Sequence, residues 1–285
     1  MRRRIKPIVV YLFLGFFVFC LLCSYQKMQK AYEQQLINAK NSIPSVSATD
    51  TTKTKTSTTD KDEFVLKPII DISGWQRPSE IDYDTLSNNI SGAIVRVYGG
   101  SHINSRNNAA HTTGVDKAFK KHITAFQNHH IPVAVYSYAL GKNIKEMRSE
   151  ARSFYKYASP YNPTFYWIDV EEKTMSNMNK GVKAFRDELK KLGAKKVGLY
   201  IGTYFMEEQG ISTRGFDAIW IPTYGTDSGY YEAAPNTTLA YDLHQYTSQG
   251  VLPGFDNTLD LNQIAVTKNT KKTYEKLFGK ITSKN

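Results

Sequence analysis

The order of elements along the chain constrains its fold more than any single motif. From Lys67 onward, short β-prone apolar runs alternate with helix-like stretches five times; three more runs then follow with little helix between them. The runs are PIIDIS (68–73), GAIVRVYG (92–99), PVAVYSYA (132–139), TFYWIDV (164–170), KVGLYIG (196–202), AIWIPTYG (218–225), AYDLHQY (240–246) and TLDLNQI (258–264). Between them, GVDKAFKKHITAFQNHH puts Val115, Phe119, Ile123 and Phe126 on one helical face, and IKEMRSEARSFYKYA and KGVKAFRDELKKLG are patterned likewise. Such alternation predicts an α/β fold whose parallel strands close into a TIM-like barrel with an irregular finish. An open doubly wound sheet is the competing topology. Against it, DISGWQRP after the first run lacks a glycine-rich phosphate loop.

What precedes the barrel has a different character. Arg2, Arg3, Arg4 and Lys6 flank PIVVYLFLGFFVFCLLC (7–23), which carries no charge. Its length is at the short end for a membrane span and above that of a usual signal-peptide core. No small-x-small cleavage site follows it, and Leu22 and Phe19 before the two cysteines do not suit a lipoprotein signal. Residues 1–24 therefore read as a basic cytoplasmic flank and an uncleaved signal anchor, with a cleaved signal peptide as the alternative. The basic flank predicts a single pass through the cell membrane, the N-terminus in the cytoplasm and all later residues on the cell-wall side.

Residues 25–63 divide into a helix-forming stretch (25–42) and a Ser/Thr/Lys tract (43–63) that cannot bury a core. A flexible tract of this length spans roughly 25 Å and serves as a tether. The barrel is expected over 64–266, with a basic tail over 267–285 that is either a helix packed on the barrel or a patch for anionic wall polymers; the helix is favoured. Cys20 and Cys23 both lie in the anchor, so the exported part has neither disulfides nor thiol chemistry.

The net charge of +11 sits at the two ends of the chain, while residues 68–266 balance 20 basic against 20 acidic side chains. That neutral total gives no support to a nucleic-acid partner. The six histidines form no H-E-x-x-H pattern, so neither a catalytic metal nor a cofactor is expected.

The chemistry concentrates where the fourth run ends, in YWIDVEE (166–172). Strand side chains alternate, so Trp167, Asp169 and Glu171 share one face and Tyr166, Ile168 and Val170 the other. With the apolar set facing the helices, Asp169 and Glu171 point inward at the C-terminal end, where barrel active sites are built. Asp71 ends the first run in the same way. Carboxyls crowded on one desolvated face repel each other, and one then stays protonated to act as a general acid.

The stretch from about Lys67 to Val266 resembles glycoside hydrolase family 25, the muramidase family that includes lysozymes of bacteria, phages and the fungus Chalaropsis. The resemblance is carried by IIDISGWQ (69–76), by AIVRVYGG (93–100) with GVDKAFKKHITAFQNHHIPVAVYSYA (114–139), by YWIDVEE, and by DLHQYTSQGVLPGFDNTLDLN (242–262). It implies a (β/α)5β3 barrel that hydrolyses the β-1,4 bond between N-acetylmuramic acid and N-acetylglucosamine in peptidoglycan. It further implies Glu171 as the general acid and Asp169 as the residue orienting the 2-acetamido group. Asp71 and Asp260 would be the other acids of the groove, and the mechanism would be substrate-assisted and retaining. Tyr98, Tyr136, Trp220, Tyr224, Gln245 and Tyr246 are candidates for holding the glycan, and Arg96 for binding a carboxylate. His122 and His244 stand where the family often has Asn and Trp.

Two readings compete with a hydrolase of this kind. A peptidoglycan-binding barrel without activity would have no need of the D-x-E pair. A chitinase-like glycosidase would need another Asp at position 167, which is Trp here. Oligomeric state is left open by the sequence.

Overall fold

The computed structural model describes residues 66–99 and 107–280. The expected anchor (7–23), helix (25–42) and tether (43–63) lie outside the described residues. Among the described residues, no helix is long and apolar enough to cross a membrane.

Eight strands form a closed barrel in chain order. They are β1 (Ile69–Ile72), β2 (Gly92–Tyr98), β3 (Val133–Tyr138), β4 (Tyr166–Asp169), β5 (Val197–Tyr200), β6 (Ala218–Pro222), β7 (Leu243–Leu252) and β8 (Phe255–Ile264). Neighbours from β1 to β7 are parallel, while β8 runs antiparallel to both β7 and β1 and closes the ring. Helices α1 (Tyr83–Ser87), α2 (Phe119–Asn128), α3 (Ile144–Ala158), α4 (Met178–Leu192) and α5 (Thr203–Glu208) follow β1 to β5 in turn. Five strand–helix units and three closing strands are thus present, as the alternation predicts. The last two strands are longer than their apolar runs, because they form a hairpin turned at Pro253–Gly254. Gly254 has φ +99°, the left-handed conformation that glycine accepts without strain.

The helices form where amphipathic spacing meets a capping side chain. Asn143 and Asn177 accept hydrogen bonds from the backbone N–H of Glu146 and Lys180 at the starts of α3 and α4. Along α4, Met178, Val182, Phe185 and Leu189 are buried at helical spacing against the strands. Alternation along the strands separates two cores. Ile70, Ile72, Val95, Val135, Ile168 and Val170 pack outward against the helices. Ile69, Ile94, Ala134, Trp167, Trp220 and Leu243 fill the barrel itself. The large Trp167 fits because β5 offers Gly198 opposite it; a Cβ there would lie 2.3 Å from the indole.

A sixth helix, α6 (Thr270–Phe278), seals the end of the barrel from which the strands start. Its Tyr274, Leu277 and Phe278 complete the inner core. Asn269 caps it through Lys272 N–H, and the Tyr274 hydroxyl donates to Ser91 O at 2.6 Å. Lys276 pairs with Asp242 at 2.8 Å, and Lys196 Nζ donates to Lys276 O at 2.6 Å. The folded unit therefore runs past Val266 to Phe278, and the helix favoured for the basic tail is its floor.

Candidate active site

At the other end, where the parallel strands finish, polar side chains replace the inner core. Asp71, Arg96, Tyr136, Asp169, Tyr200 and Gln245 are inward residues of β1, β2, β3, β4, β5 and β7, with Tyr138 one inward position further along β3. From β8, Asp260 and Asn262 face them, with Asp260 directly opposite Asp71 in the strand register.

Two pairs of carboxyls dominate the mouth. Asp71 is buried, and one of its oxygens accepts from Gln245 Nε2 and Asn262 Nδ2, each at 2.8 Å. Loss of solvation, then the charge of Asp260, raises its pKa well above the carboxylate range. Asp71 hydrogen-bonds Asp260, whose own pKa is raised by burial to about 6 against that bond. Asp169 is also buried and is raised well above the usual range, first by desolvation and then by the charge of Glu171. Glu171 lies just beyond β4 and is exposed. The surrounding protein still raises its pKa, and the hydrogen bond from Asp169 opposes that rise. In each pair, burial and the neighbouring carboxyl together favour one shared proton over two carboxylates.

The groups around these pairs fix their geometry. Tyr200 and Tyr224 both donate to Gln245 Oε1, at 2.7 and 2.6 Å, which turns the Gln245 amide N–H toward Asp71. Trp220 Nε1 donates to Asn262 Oδ1 at 2.8 Å and does the same for the Asn262 amide. Arg96 is buried, with Nε on Asp116 Oδ2 at 3.0 Å. Asp116 also accepts from Gly74 N and Ala118 N at 2.8 Å each, which ties the loop after β1 to the start of α2. The guanidinium charge pulls the pKa of Asp169 and Tyr136 down, against their burial. Two buried polar atoms here have no partner, Arg96 Nη2 and Asp169 Oδ1. Buried donors and acceptors left open in this way are rare and suit a ligand.

The structure brings Asp71, Asp169, Glu171, Asp260, Arg96, Tyr136, Tyr224 and Gln245 to the mouth. Trp220 sits one layer deeper, 2% exposed, with its rings edge-on to Tyr136, Trp167 and Tyr200. It supports the mouth from below and presents no face to solvent. Tyr98 and Tyr246 are corrections. A bulge between Arg96 and Tyr98 breaks the alternation of β2, so Tyr98 turns outward among Val115 and Phe119 and hydrogen-bonds Ser153 of α3. Tyr246 follows the inward Gln245 and therefore faces outward, edge-on to Tyr231 and His244.

His122 bridges the Tyr83 hydroxyl (2.6 Å) and Ser73 O (3.1 Å), holding the β1 loop, and His244 meets Thr223 O at 2.8 Å. Both are packed, hydrogen-bonded residues. Sequence reading assigned no role to Tyr200, Asn262, Asp116 or Tyr138. Tyr200 could have been found from strand alternation, since it ends VGLY in phase with Gly198. Tyr138 donates to Glu172 Oε1 at 2.9 Å on the rim. Four exposed rings stand on segments that leave strand ends at the mouth: Trp75, Tyr204, Tyr230 and Tyr231, at 56, 79, 51 and 39% exposure. Among the described residues, no cluster of His, Asp and Glu is arranged to hold a metal ion.

The model of glycosyl hydrolases family 25 matches residues 70–255. Among solved structures, the chain is similar to GHIP, a glycosyl hydrolase 25 of Streptococcus pneumoniae described as a novel virulence factor participating in host cell invasion. The identity is 57%, over 75% of this chain and 94% of that one, with a TM-score of 0.73. The catalytic domain of endolysin ply40, from bacteriophage P40 of Listeria monocytogenes, is 25% identical over 75% of this chain and 98% of its own, with a TM-score of 0.64. The bacterial lysozyme from Streptomyces coelicolor shares the fold at 15% identity, over 76% of this chain and 99% of its own, with a TM-score of 0.57. No curated protein matches the chain.

Proposed function

The chain belongs to glycosyl hydrolase family 25, and from that premise we propose that it is a muramidase, cleaving the β-1,4 bond from N-acetylmuramic acid to N-acetylglucosamine in peptidoglycan. The observation that carries the reading is the Asp169–Glu171 pair: two carboxyls hydrogen-bonded to each other at the mouth of the barrel, both raised above the ordinary carboxylate range. Without substrate, desolvation favours the protonated form of Asp169. A 2-acetamido N–H donating to Asp169 favours its carboxylate, and the Arg96 charge favours it further, so the proton passes to Glu171. Glu171 then gives that proton to the glycosidic oxygen as the bond from C1 to that oxygen breaks, while the acetamide oxygen bonds to C1. Water next attacks C1, losing a proton to the Glu171 carboxylate, and the acetamide oxygen leaves. Two displacements at C1 give retention.

The remaining polar groups fit a supporting role. Asp71 and Asp260 share a second proton and can hydrogen-bond sugar hydroxyls as donor and acceptor. Tyr136, Tyr224 and Gln245 line the same cavity, and the rings of Trp75, Tyr204 and Tyr230 are available for stacking on pyranose faces. No nucleic acid and no cofactor enter this reading.

Residues 7–23 are read as a signal anchor in the cell membrane, with 64–285 outside on the tether. Protease added to intact cells should then remove the barrel and leave the N-terminal segment protected. The enzymatic reading is tested with residues 64–285 on purified peptidoglycan, followed by borohydride reduction and mass spectrometry. New muramitol ends are expected. Glucosaminitol ends would move the cut to the other bond, and binding without release would make the barrel a wall-binding module.

A further inference from the structure

The charge of the folded domain is polarised between its two ends. Acids gather at the mouth, where Asp71, Asp169, Glu171, Glu172 and Asp260 meet. The opposite face is basic. There the C-terminal end of α4 and the turn into β5 carry Lys190, Lys191, Lys195 and Lys196, and α6 with its flanks carries Lys268, Lys271, Lys272, Lys276 and Lys280. Lys67 adds to them where the chain enters β1. Of the acids on this face, Asp217 and Asp242 are paired with Lys190 and Lys276, and Glu275 stands among the lysines of α6.

Two further features of the floor point to a ligand. A cleft of about 290 Å³ opens between the turns that lead into β4 and β5, lined by Tyr155, Asn162, Thr164, Tyr166, Lys195 and Lys196. The Thr164 hydroxyl in its wall is buried without a partner. Beside α6, Val266 projects into solvent at 58% exposure among the lysines. Cations around a hydroxyl-lined cleft suit a phosphodiester, and an exposed aliphatic side chain among lysines suits the interface of a bilayer.

We propose that the floor of the barrel docks on the anionic phospholipid surface of the membrane, with the cleft at Lys195 and Lys196 taking a lipid phosphate. The acidic mouth is repelled by the same surface and faces away from it, toward the wall. The tether alone brings the domain near the bilayer without orienting it; the basic floor supplies the orientation. The choice of the membrane over other phosphate-bearing polymers rests on the reading of residues 7–23 as an anchor, and on Leu66 and Lys67, through which the chain from that anchor enters at this face.

The test uses residues 64–285, so that the anchor contributes nothing. This part folds alone: its barrel is closed, and the pneumococcal chain it matches consists almost wholly of the same domain. Sedimentation with vesicles of phosphatidylcholine containing about one-third phosphatidylglycerol is compared with pure phosphatidylcholine, at low and high salt. Binding is expected on the anionic vesicles only, and should fade as salt screens it. A single lysine near such a surface is worth roughly fivefold in affinity. Neutralising the exposed Lys191, Lys195, Lys271 and Lys272 to Gln should therefore weaken binding by more than about tenfold, with hydrolysis of soluble glycan fragments unchanged. Glu171→Gln should bind vesicles as the parent does, which separates this inference from the fate of the muramidase reading. No binding to anionic vesicles, equal binding to neutral ones, or binding only to soluble poly(glycerol phosphate) would overturn the membrane assignment.

Discussion

The two ends of one barrel are built on opposite terms. At the floor Tyr274, Lys276 and Lys196 are hydrogen-bonded into the barrel, and three apolar side chains of α6 close the core. At the mouth four carboxyls have raised pKa values, and Arg96 Nη2 and Asp169 Oδ1 are buried with no partner. Desolvated, crowded carboxyls oppose folding, so the mouth is held in place by the rest of the barrel. The difference teaches where stability and chemistry reside: substitutions at the floor should cost stability, and those at the mouth should cost turnover.

The largest separation is expected from Glu171→Gln. It removes the transferable proton at nearly constant volume, so kcat should fall by about 10²–10⁴. Its melting temperature should stay close to that of the parent, because Glu171 is exposed and glutamine keeps its shape. Turnover within a few-fold of the parent would remove Glu171 from the role of acid. Leu277→Ala is the converse change. Leu277 is fully buried under the barrel, and the cavity left should cost about 2–5 kcal/mol in denaturant unfolding. The kcat of the folded fraction should hold. A large drop in kcat at full stability would mean that the two ends are coupled.

A smaller effect should appear at Glu150, which supports the mouth from α3. It accepts from Leu140 N–H and Gly141 N–H after β3, and burial raises its pKa from 4.5 to about 7. The folded state then holds a proton that the unfolded chain releases above pH 4.5. This contribution is complete below that pH and is lost as pH rises to about 7. Glu150→Gln should flatten the decline, by between about 1 and 3 kcal/mol across the window. Asp71, Asp169, Glu171 and Asp260 are raised in the same sense and add to the slope. Equal slopes in parent and variant, from urea melts across that range, would show Glu150 to be ordinary.

Much of this contrast was legible in the residues. Period-two alternation in YWIDV placed Trp167 and Asp169 inward and Ile168 and Val170 outward, because β4 is regular and its outer face must meet helices. The same rule misplaced Tyr98, since the bulge after Arg96 leaves no mark in GAIVRVY. Tyr246 was misread by setting the rule aside: neighbours on one strand cannot both face the mouth, and Gln245 already does. The floor was only half visible. TKKTYEKLF has the spacing of an amphipathic helix, but its seat depends on Gly92, whose missing side chain makes room for Phe278; a Cβ there would lie 2.9 Å from that ring. The shared protons were beyond sequence altogether. They depend on Asp260 lying opposite Asp71 across the antiparallel β8–β1 pairing that closes the ring, and on how deeply each carboxyl is desolvated.

The central claim is that the mouth delivers one proton through Glu171 while the acetamide of the substrate attacks C1. Proton NMR during the first minutes of hydrolysis of a soluble peptidoglycan fragment, before mutarotation, reads the configuration of the new reducing end. The account predicts that the β-anomer of N-acetylmuramic acid forms first. An α-anomer first would mean a single direct displacement by water and would contradict the roles given to Asp169 and Glu171.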